Sequence, residues 1–530
     1  MIRNFRYAFM ATGLSLLANS ACAMPWIKAE SEHFVIYSDN SAKETRAYAG
    51  KLENFYLVTG AFYDQMSDTV LPAYEKTRFN YFSKVSEFRI VRPELDGHAF
   101  NPYLPCREGV QYFSTGDGQS NNELNGHGAL DPEIDLNLAY MFLAYNSHIL
   151  HERFSKLPGW VSNGLNWYFM TAVFKDGQVV IGKPPPNIAM SLRVDGADNL
   201  LSKKNTVPYA DRISDKPTPP GMEDMATLED WVMVSYLMSD PERRHKLTEY
   251  LRLLNEESDS RAAYDKTINI DPASYSEILE NYKKKGVTSQ SYKVGTLPEA
   301  GVTVTSLPDY PVAVPLMDAA LQTCPDRKDG VNLLDSLRKT TPRFPDDALA
   351  QTALARAEIH FGDPQAARPY LDSRLKADPK DFEAQFLIGR LYLTLAEDGP
   401  PEGRKSNYTH ARSELGKAYS LNPASAPTLY LYARAFADQP DYPNANTMTA
   451  LLLAQDYAGS MYDTYEAELR LRQGDYAKAQ EIIDRGLSYA TKKWSKDKLN
   501  TLTAIRDGLA AHKEKADILP LFARYEKIED

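Results

Sequence analysis

His148, His151 and Glu152 fall at i, i+3 and i+4, so on a helix all three share one face. Two imidazoles and a carboxylate are ligand types for a divalent metal, and an acidic residue between Asp131 and Asp135 would be a further donor. The chemistry such a set would serve is metal-assisted hydrolysis. The blander reading makes His151 and Glu152 a solvated helix end and His148 a hydrogen-bonded core histidine. His33, His98 and His127 lie at no ligand spacing. The chain has no Gly-x-Ser-x-Gly elbow, no Walker-type glycine loop and no Cys-x-x-Cys pair, so those serine-hydrolase, nucleotide-binding and dithiol chemistries have no sequence support.

The elements that must position these residues can be read from periodicity. Leu136 to Leu150 is apolar enough to be a buried helix, and Trp160 to Phe174 predicts a second one begun near Pro158. Upstream, a strand is expected from near His33, then a helix from about Ala42 to Met66 carrying Leu52, Phe55, Tyr56 and Phe62 at helical spacings. Phe88 to Val91 and Gly109 to Phe113 are further strand candidates, and Ser114 to Gly128 has the composition of a loop. A proline break at Pro184 to Pro186 and a polar loop to Met222 precede a helical pattern from Thr227 to Leu254, where Thr227 and Asp230 resemble a capping box. The expected class is α+β.

The segment Leu157-Pro158-Gly159-Trp160-Val161-Ser162-Asn163-Gly164-Leu165-Asn166-Trp167-Tyr168-Phe169 resembles the second metal-ligand helix of gluzincin-type zinc metallopeptidases, which reads Pro-x-Trp-x-x-Glu-Gly-x-Ala-Glu-Tyr. The resemblance extends to the opening strand Ser31-Glu32-His33-Phe34-Val35-Ile36-Tyr37, the helix around Trp231 to Leu237, an export signal and appended repeats, features of a branch of secreted bacterial peptidase-like proteins. It implies a zincin-like domain with a His-Glu-x-x-His helix and a following glutamate as zinc ligands and base. That helix falls on Ala144-Tyr145-Asn146-Ser147-His148. Only His148 keeps its residue type. Ala144 has no donor atom, Tyr145 is no carboxylate base, Asn163 replaces the anionic ligand and Trp167 the final acid. The resemblance therefore implies a degenerate active site: no catalytic residue, no cofactor and no metal, unless His148, His151 and Glu152 bind one in a relocated site.

Beyond a proline-containing stretch from Gly295 to Pro315, the pattern is helical throughout and repetitive. Leu354, Ala355, Ala367, Leu371 and Pro379 stand at tetratricopeptide offsets. Ile388, Gly389 and Tyr392 open the next unit, whose second helix is displaced by an insertion at Glu397 to Asn407 before Ala411, Leu415, Ala418 and Pro423 resume the pattern. Leu429, Tyr432, Ala433 and Phe436 begin a third unit, and Gly474-Asp475-Tyr476-Ala477-Lys478-Ala479-Gln480 a last clear one. Small residues let paired helices approach while large ones fill the groove to the next pair, and such solenoids bind a peptide or protein.

At 530 residues with 43% hydrophobic composition the chain has room for more than one core. Arg3 and Arg6, an apolar run from Tyr7 to Ala18 and Ala21-Cys22-Ala23 read as a signal peptide over 1–23. Cleavage after Ala23 is preferred to lipidation of Cys22, since Asn19 fits a lipoprotein signal poorly. The expected location is periplasmic or secreted. Losing Arg3 and Arg6 takes the net charge from −11 to −13, which disfavours nucleic acid. No later stretch is apolar enough to span a bilayer. Cys106 and Cys324 can pair in an oxidising compartment or remain two buried thiols. The expected organisation is a zincin-like domain over 24–295, a linker over 296–325 and a tetratricopeptide-like superhelical solenoid over 326–530. The expected function is binding of a peptide, protein or cell-envelope partner. The alternatives are a metal-dependent hydrolase, or a repeat scaffold carrying an inert N-terminal domain.

Overall fold

The computed structural model describes residues 25–65, 76–94, 103–116, 131, 133–154, 157–193, 207–214, 216, 223–256, 259–294, 301–488 and 495–526. The expected signal segment with Cys22, most of the loop from Ser114 to Gly128 and much of the polar loop before Met222 lie outside them.

Side chains alternate between buried and half-buried along Ile27–Glu30 (β1) and Phe34–Ser38 (β2), the two-residue period of strands with one face on a core. Helix α1 (Ala42–Tyr63) follows, opened by a reciprocal capping box between Ser41 and Glu44. Thr77–Phe82 (β3), Tyr103–Cys106 (β4) and Gly109–Thr115 (β5) extend the sheet, whose order is β4-β5-β3-β2-β1 with a sixth strand, Thr303–Ser306, on the outer edge of β1. β2, β3 and β5 run parallel, and the two edge pairings are antiparallel. The strand expected at Phe88 to Val91 is instead part of a 3-10 turn, Val85–Ile90. Its buried residues Val85, Phe88 and Val91 recur every third position, the period of that helix and not of a strand.

α1 packs on β1 and β2, α2 (Leu136–Arg153), capped by Asp135, packs on β5, and α3 (Gly159–Phe169) lies against α2. α3 is shorter than predicted. After Phe169 the chain turns into β6 (Val173–Lys175) and β7 (Gln178–Ile181), joined by Asp176 and Gly177 at φ 51° and 70°. Two positive φ values in a two-residue loop are what a tight hairpin requires, and Asp-Gly supplies them cheaply. Helix α4 (Pro186–Arg193) starts on the last proline of the expected break, and α5 (Tyr209–Ile213) follows. The long helix expected from Thr227 to Leu254 is two, α6 (Glu223–Met238) and α7 (Pro241–Glu256), because Pro241 can open a helix but not continue one. Thr227 is thus interior to α6 and does not cap it. Helices α8 (Ser260–Lys266) and α9 (Tyr275–Lys285) and strand β8 (Gln290–Lys293), which pairs with β7, complete this half.

Residues 301–325 of the stretch expected to be a linker carry a strand and a helix. Thr303–Ser306 (β9) pairs with β1, and α10 (Val314–Leu321) begins the helical part. Helices α11 (Arg327–Thr340), α12 (Ala348–Phe361), α13 (Pro364–Ala377), α14 (Phe382–Glu397), α15 (Arg404–Leu421), α16 (Ala426–Arg434), α17 (Ala445–Ala458), α18 (Asp463–Gln473), α19 (Tyr476–Ser488), α20 (Lys496–Ala510) and α21 (Lys515–Tyr525) follow. α12 packs with α13, α14 with α15, α16 with α17 and α18 with α19, a succession of helix pairs. Gly389 on α14 lets α15 approach closely, since a Cβ there would lie 2.7 Å from Leu415 side-chain atoms and 3.1 Å from the Leu415 backbone nitrogen.

The two halves share a core. Phe82, Phe88, Leu104 and Phe113 of the sheet region cluster with Leu316, Leu337 and Ala357 of the helices. Cys106 and Cys324 form a disulfide across the same junction, with Cα atoms 5.7 Å apart. No helix among the described residues is long and apolar enough to cross a membrane.

Candidate functional site

The helix pair α2 and α3 carries the residues singled out by the peptidase resemblance. Ala144 is buried in the core. Tyr145 is buried among aromatic rings of the sheet, with centroids 5.3 Å from Phe34, 5.7 Å from Phe79 and 6.0 Å from Tyr112. The half-buried His148 ring lies beside the same group, 6.1 Å from Tyr112 and 6.2 Å from Tyr145. Asn163 is turned elsewhere: its amide donates to Asp230 Oδ2 on α6 at 3.1 Å. Among the described residues a polar contact crosses from α2 to α3 between two residues to which the sequence assigned no role. Tyr63 donates to Asn146 Oδ1 at 2.8 Å, and Asn146 donates to Asn166 Oδ1 at 2.8 Å.

α3 is held by small and large residues of the same motif. A Cβ on Gly164 would meet Val234 Cγ2 at 2.3 Å and the Asp230 carbonyl oxygen at 2.7 Å, so only glycine permits this approach of α3 to α6. Trp160 is buried with its ring stacked 5.8 Å from Tyr250. Behind this contact lies a buried ion cluster. Arg212 donates to Asp230 Oδ1 at 2.6 Å and to Glu229 Oε2 at 3.2 Å. Burial pushes the Glu229 carboxyl up and the Arg212 charge pulls it back; the balance leaves it at about 7.

The acidic residues considered as extra metal donors have other partners. Lys183 Nζ lies 2.8 Å from both Asp131 Oδ2 and Glu133 Oε2, and Asp135 accepts from the Leu138 amide as the α2 cap. His151 and Glu152 belong to the last turn of α2, and their side chains lie outside the described residues. Among the described residues no group of three or more His, Cys, Asp or Glu side chains is placed to hold a metal. His33 hydrogen-bonds through Nδ1 to Glu53 Oε2 at 2.7 Å and stacks on Tyr56, joining β2 to α1.

A second constellation is formed where the sequence held no motif. The two-residue turn of the β4–β5 hairpin, Arg107 and Glu108, lies on the helix-pair array. Glu108 Oε1 accepts from Arg390 Nε on α14 at 2.9 Å, and its Oε2 lies 3.0 Å from His360 Nε2 on α12. The Arg107 guanidinium is 3.1 Å from Glu526 Oε1 after α21, and its carbonyl accepts from the Tyr462 hydroxyl, just before α18, at 3.1 Å. Arg434 on α16 lies between the two: it donates at 2.9 Å to Oε1 of Glu397, whose Oε2 is 3.8 Å from Arg390 Nη1, and its own Nη1 is 3.8 Å from Glu526 Oε2. α12, α14, α16 and α18 are the first helices of successive pairs, so the turn sits on the one face they line together. Burial alone would raise the Glu108 carboxyl, but Arg390, then His360, outweigh it and hold the group well below the usual carboxylate range.

Residues 348–391, which span α12, α13 and the first part of α14, match the family model of the tetratricopeptide repeat. No curated protein and no solved structure matches the chain.

Proposed function

We propose that this chain is an exported, non-catalytic scaffold that binds a peptide, protein or cell-envelope partner, with a peptidase-like domain whose chemistry has been lost. The repeat match over 348–391 carries this reading, because tetratricopeptide repeats generally mediate protein binding and the helix pairs continue well beyond the matched segment. The peptidase-like half supports it from the other side. The positions of the first zinc ligand and the base are occupied by Ala144 and Tyr145 in core-packing roles, and Asn163 is engaged with Asp230. Export is favoured by the charged and apolar pattern of 1–23 and by a disulfide that persists most readily in an oxidising compartment.

The competing reading is a metal-dependent hydrolase with ligands relocated to His148, His151 and Glu152. Elemental analysis of the full chain, purified without added metal, separates the two when paired with a peptide-hydrolysis assay. The scaffold reading expects no hydrolysis above background and no effect of His148→Ala. Near-stoichiometric zinc with hydrolysis abolished by His148→Ala would overturn it.

A further inference from the structure

The face lined by the first helices of the array already holds a polypeptide turn, and the manner of holding is informative. Glu108 contributes a mostly buried carboxylate to Arg390 and His360, and Arg107 contributes a guanidinium to Glu526 and a carbonyl to Tyr462. Every one of these contacts is an ion pair or hydrogen bond. Such contacts depend on the groups presented and not on the chain presenting them, so another loop with the same groups competes for the same partners. The apolar anchor of the hairpin lies further back: Leu104 belongs to the core shared by both halves. β4 is the edge strand of its sheet. Besides its polar contacts, the turn is held by the β4–β5 ladder, which closes on it at Cys106 and Gly109, and to the helical part by the bond from Cys106, adjacent to Arg107, to Cys324.

We propose that this face is a docking site for a polypeptide loop presenting an Arg-Glu pair, that Arg107 and Glu108 fill it as an internal ligand, and that opening the Cys106–Cys324 bond admits a partner in their place. The inference rests on the scaffold reading and names the chemistry of its partner. The opening step is thiol–disulfide exchange with a dithiol reductant. Two electrons and two protons pass from the dithiol, which becomes a disulfide, while Cys106 and Cys324 become thiols. The root of the hairpin stays in the shared core through Leu104, so the motion required is confined to the turn.

The test uses the full chain and a labelled cyclic peptide of residues 103–112 carrying Cys106→Ser, with binding read by fluorescence anisotropy. The dithiol-reduced chain and the Cys324→Ser variant are expected to bind the peptide at least about ten-fold more tightly than the oxidised chain, a difference of about 1.4 kcal/mol. Arg390→Ala in the reduced chain is expected to remove that binding. Should Cys324→Ser fail to fold, as judged by circular dichroism, Glu108→Gln with the disulfide intact serves instead, and it too is expected to bind more tightly than the unaltered oxidised chain. Equal affinity in the oxidised and reduced chains overturns the proposal, and so does the absence of binding in every form. Neither result touches the scaffold reading, which falls only with metal-dependent hydrolysis.

Discussion

Asn146 donates its side-chain amide to Asn166 Oδ1 at 2.8 Å, tying α2 to α3. Asn146 also accepts from Tyr63, so three buried polar groups from α1, α2 and α3 satisfy one another. Asn146→Ala removes the middle member. It leaves the Tyr63 hydroxyl and the Asn166 carbonyl oxygen without that partner, each at a cost of about 1–3 kcal/mol. A loss of roughly 2–5 kcal/mol is expected in chemical denaturation, with Tyr63→Phe alone costing less. A loss below about 0.5 kcal/mol for Asn146→Ala would mean the network does not hold the helices together.

Gly164 tests the close approach of α3 to α6. The methyl group of Gly164→Ala would fall within 2.7 Å of a backbone oxygen, which no side-chain rotation relieves. Overpacking of this kind costs about 1–3 kcal/mol and here should reach the upper end. Gly60 on α1, where a Cβ meets nothing within 4 Å, is the control. Gly60→Ala should leave the melting temperature unchanged or raise it, and equal losses at both positions would refute the close-approach argument.

The repeats were legible because their signal is local: alanine, glycine and proline recur at fixed offsets, and each offset has a packing reason within one helix pair. The Asp176-Gly177 turn was also written plainly, yet the apolar residues around Trp167 to Phe174 fit a helical pattern and overrode it. The docked turn was not legible at all. Arg107-Glu108-Gly109 reads as an ordinary polar hairpin end, and Glu108 meets Arg390 across a separation of 282 residues. The disulfide likewise joins residues 218 apart, and sequence left its two cysteines undecided between a bond and free thiols.

Within the array, two glycines on facing helices should respond oppositely to the same change. At Gly389 a Cβ would press on Leu415, which is fully buried and has nowhere to move. At Gly416, in the interior of α15, the nearest atom is a Tyr432 ring carbon at 3.8 Å, an ordinary contact. Gly389→Ala is expected to destabilise by about 1–3 kcal/mol. Gly416→Ala should stabilise by about 0.5–1 kcal/mol through helix propensity. Thermal unfolding of both variants decides the matter, and a destabilised Gly416→Ala would show that α15 is packed more tightly than its distances indicate.

The Arg212 cluster predicts a pH dependence of definite sign. One guanidinium faces two carboxylates, with side chains only 4% exposed for Arg212 and 2% for Glu229 and Asp230. The cluster is charge-balanced when one carboxyl keeps its proton, which accords with Glu229 being pushed from an ordinary 4.5 up to about 7 by burial. A folded value above the unfolded one means the native state binds more protons between these limits. Stability from this group is therefore fully present below about pH 4.5 and is lost as pH rises through about 7. Glu229→Gln keeps the shape and cannot ionise. Relative to the unaltered chain it should gain stability between pH 5 and pH 8, by an amount on the order of 2–3 kcal/mol at about 1.4 kcal/mol per unit. Unfolding midpoints of both proteins at the two pH values measure this difference. A variant whose relative stability is the same at pH 5 and pH 8 would place the ionised Glu229 comfortably in the fold and remove the argument.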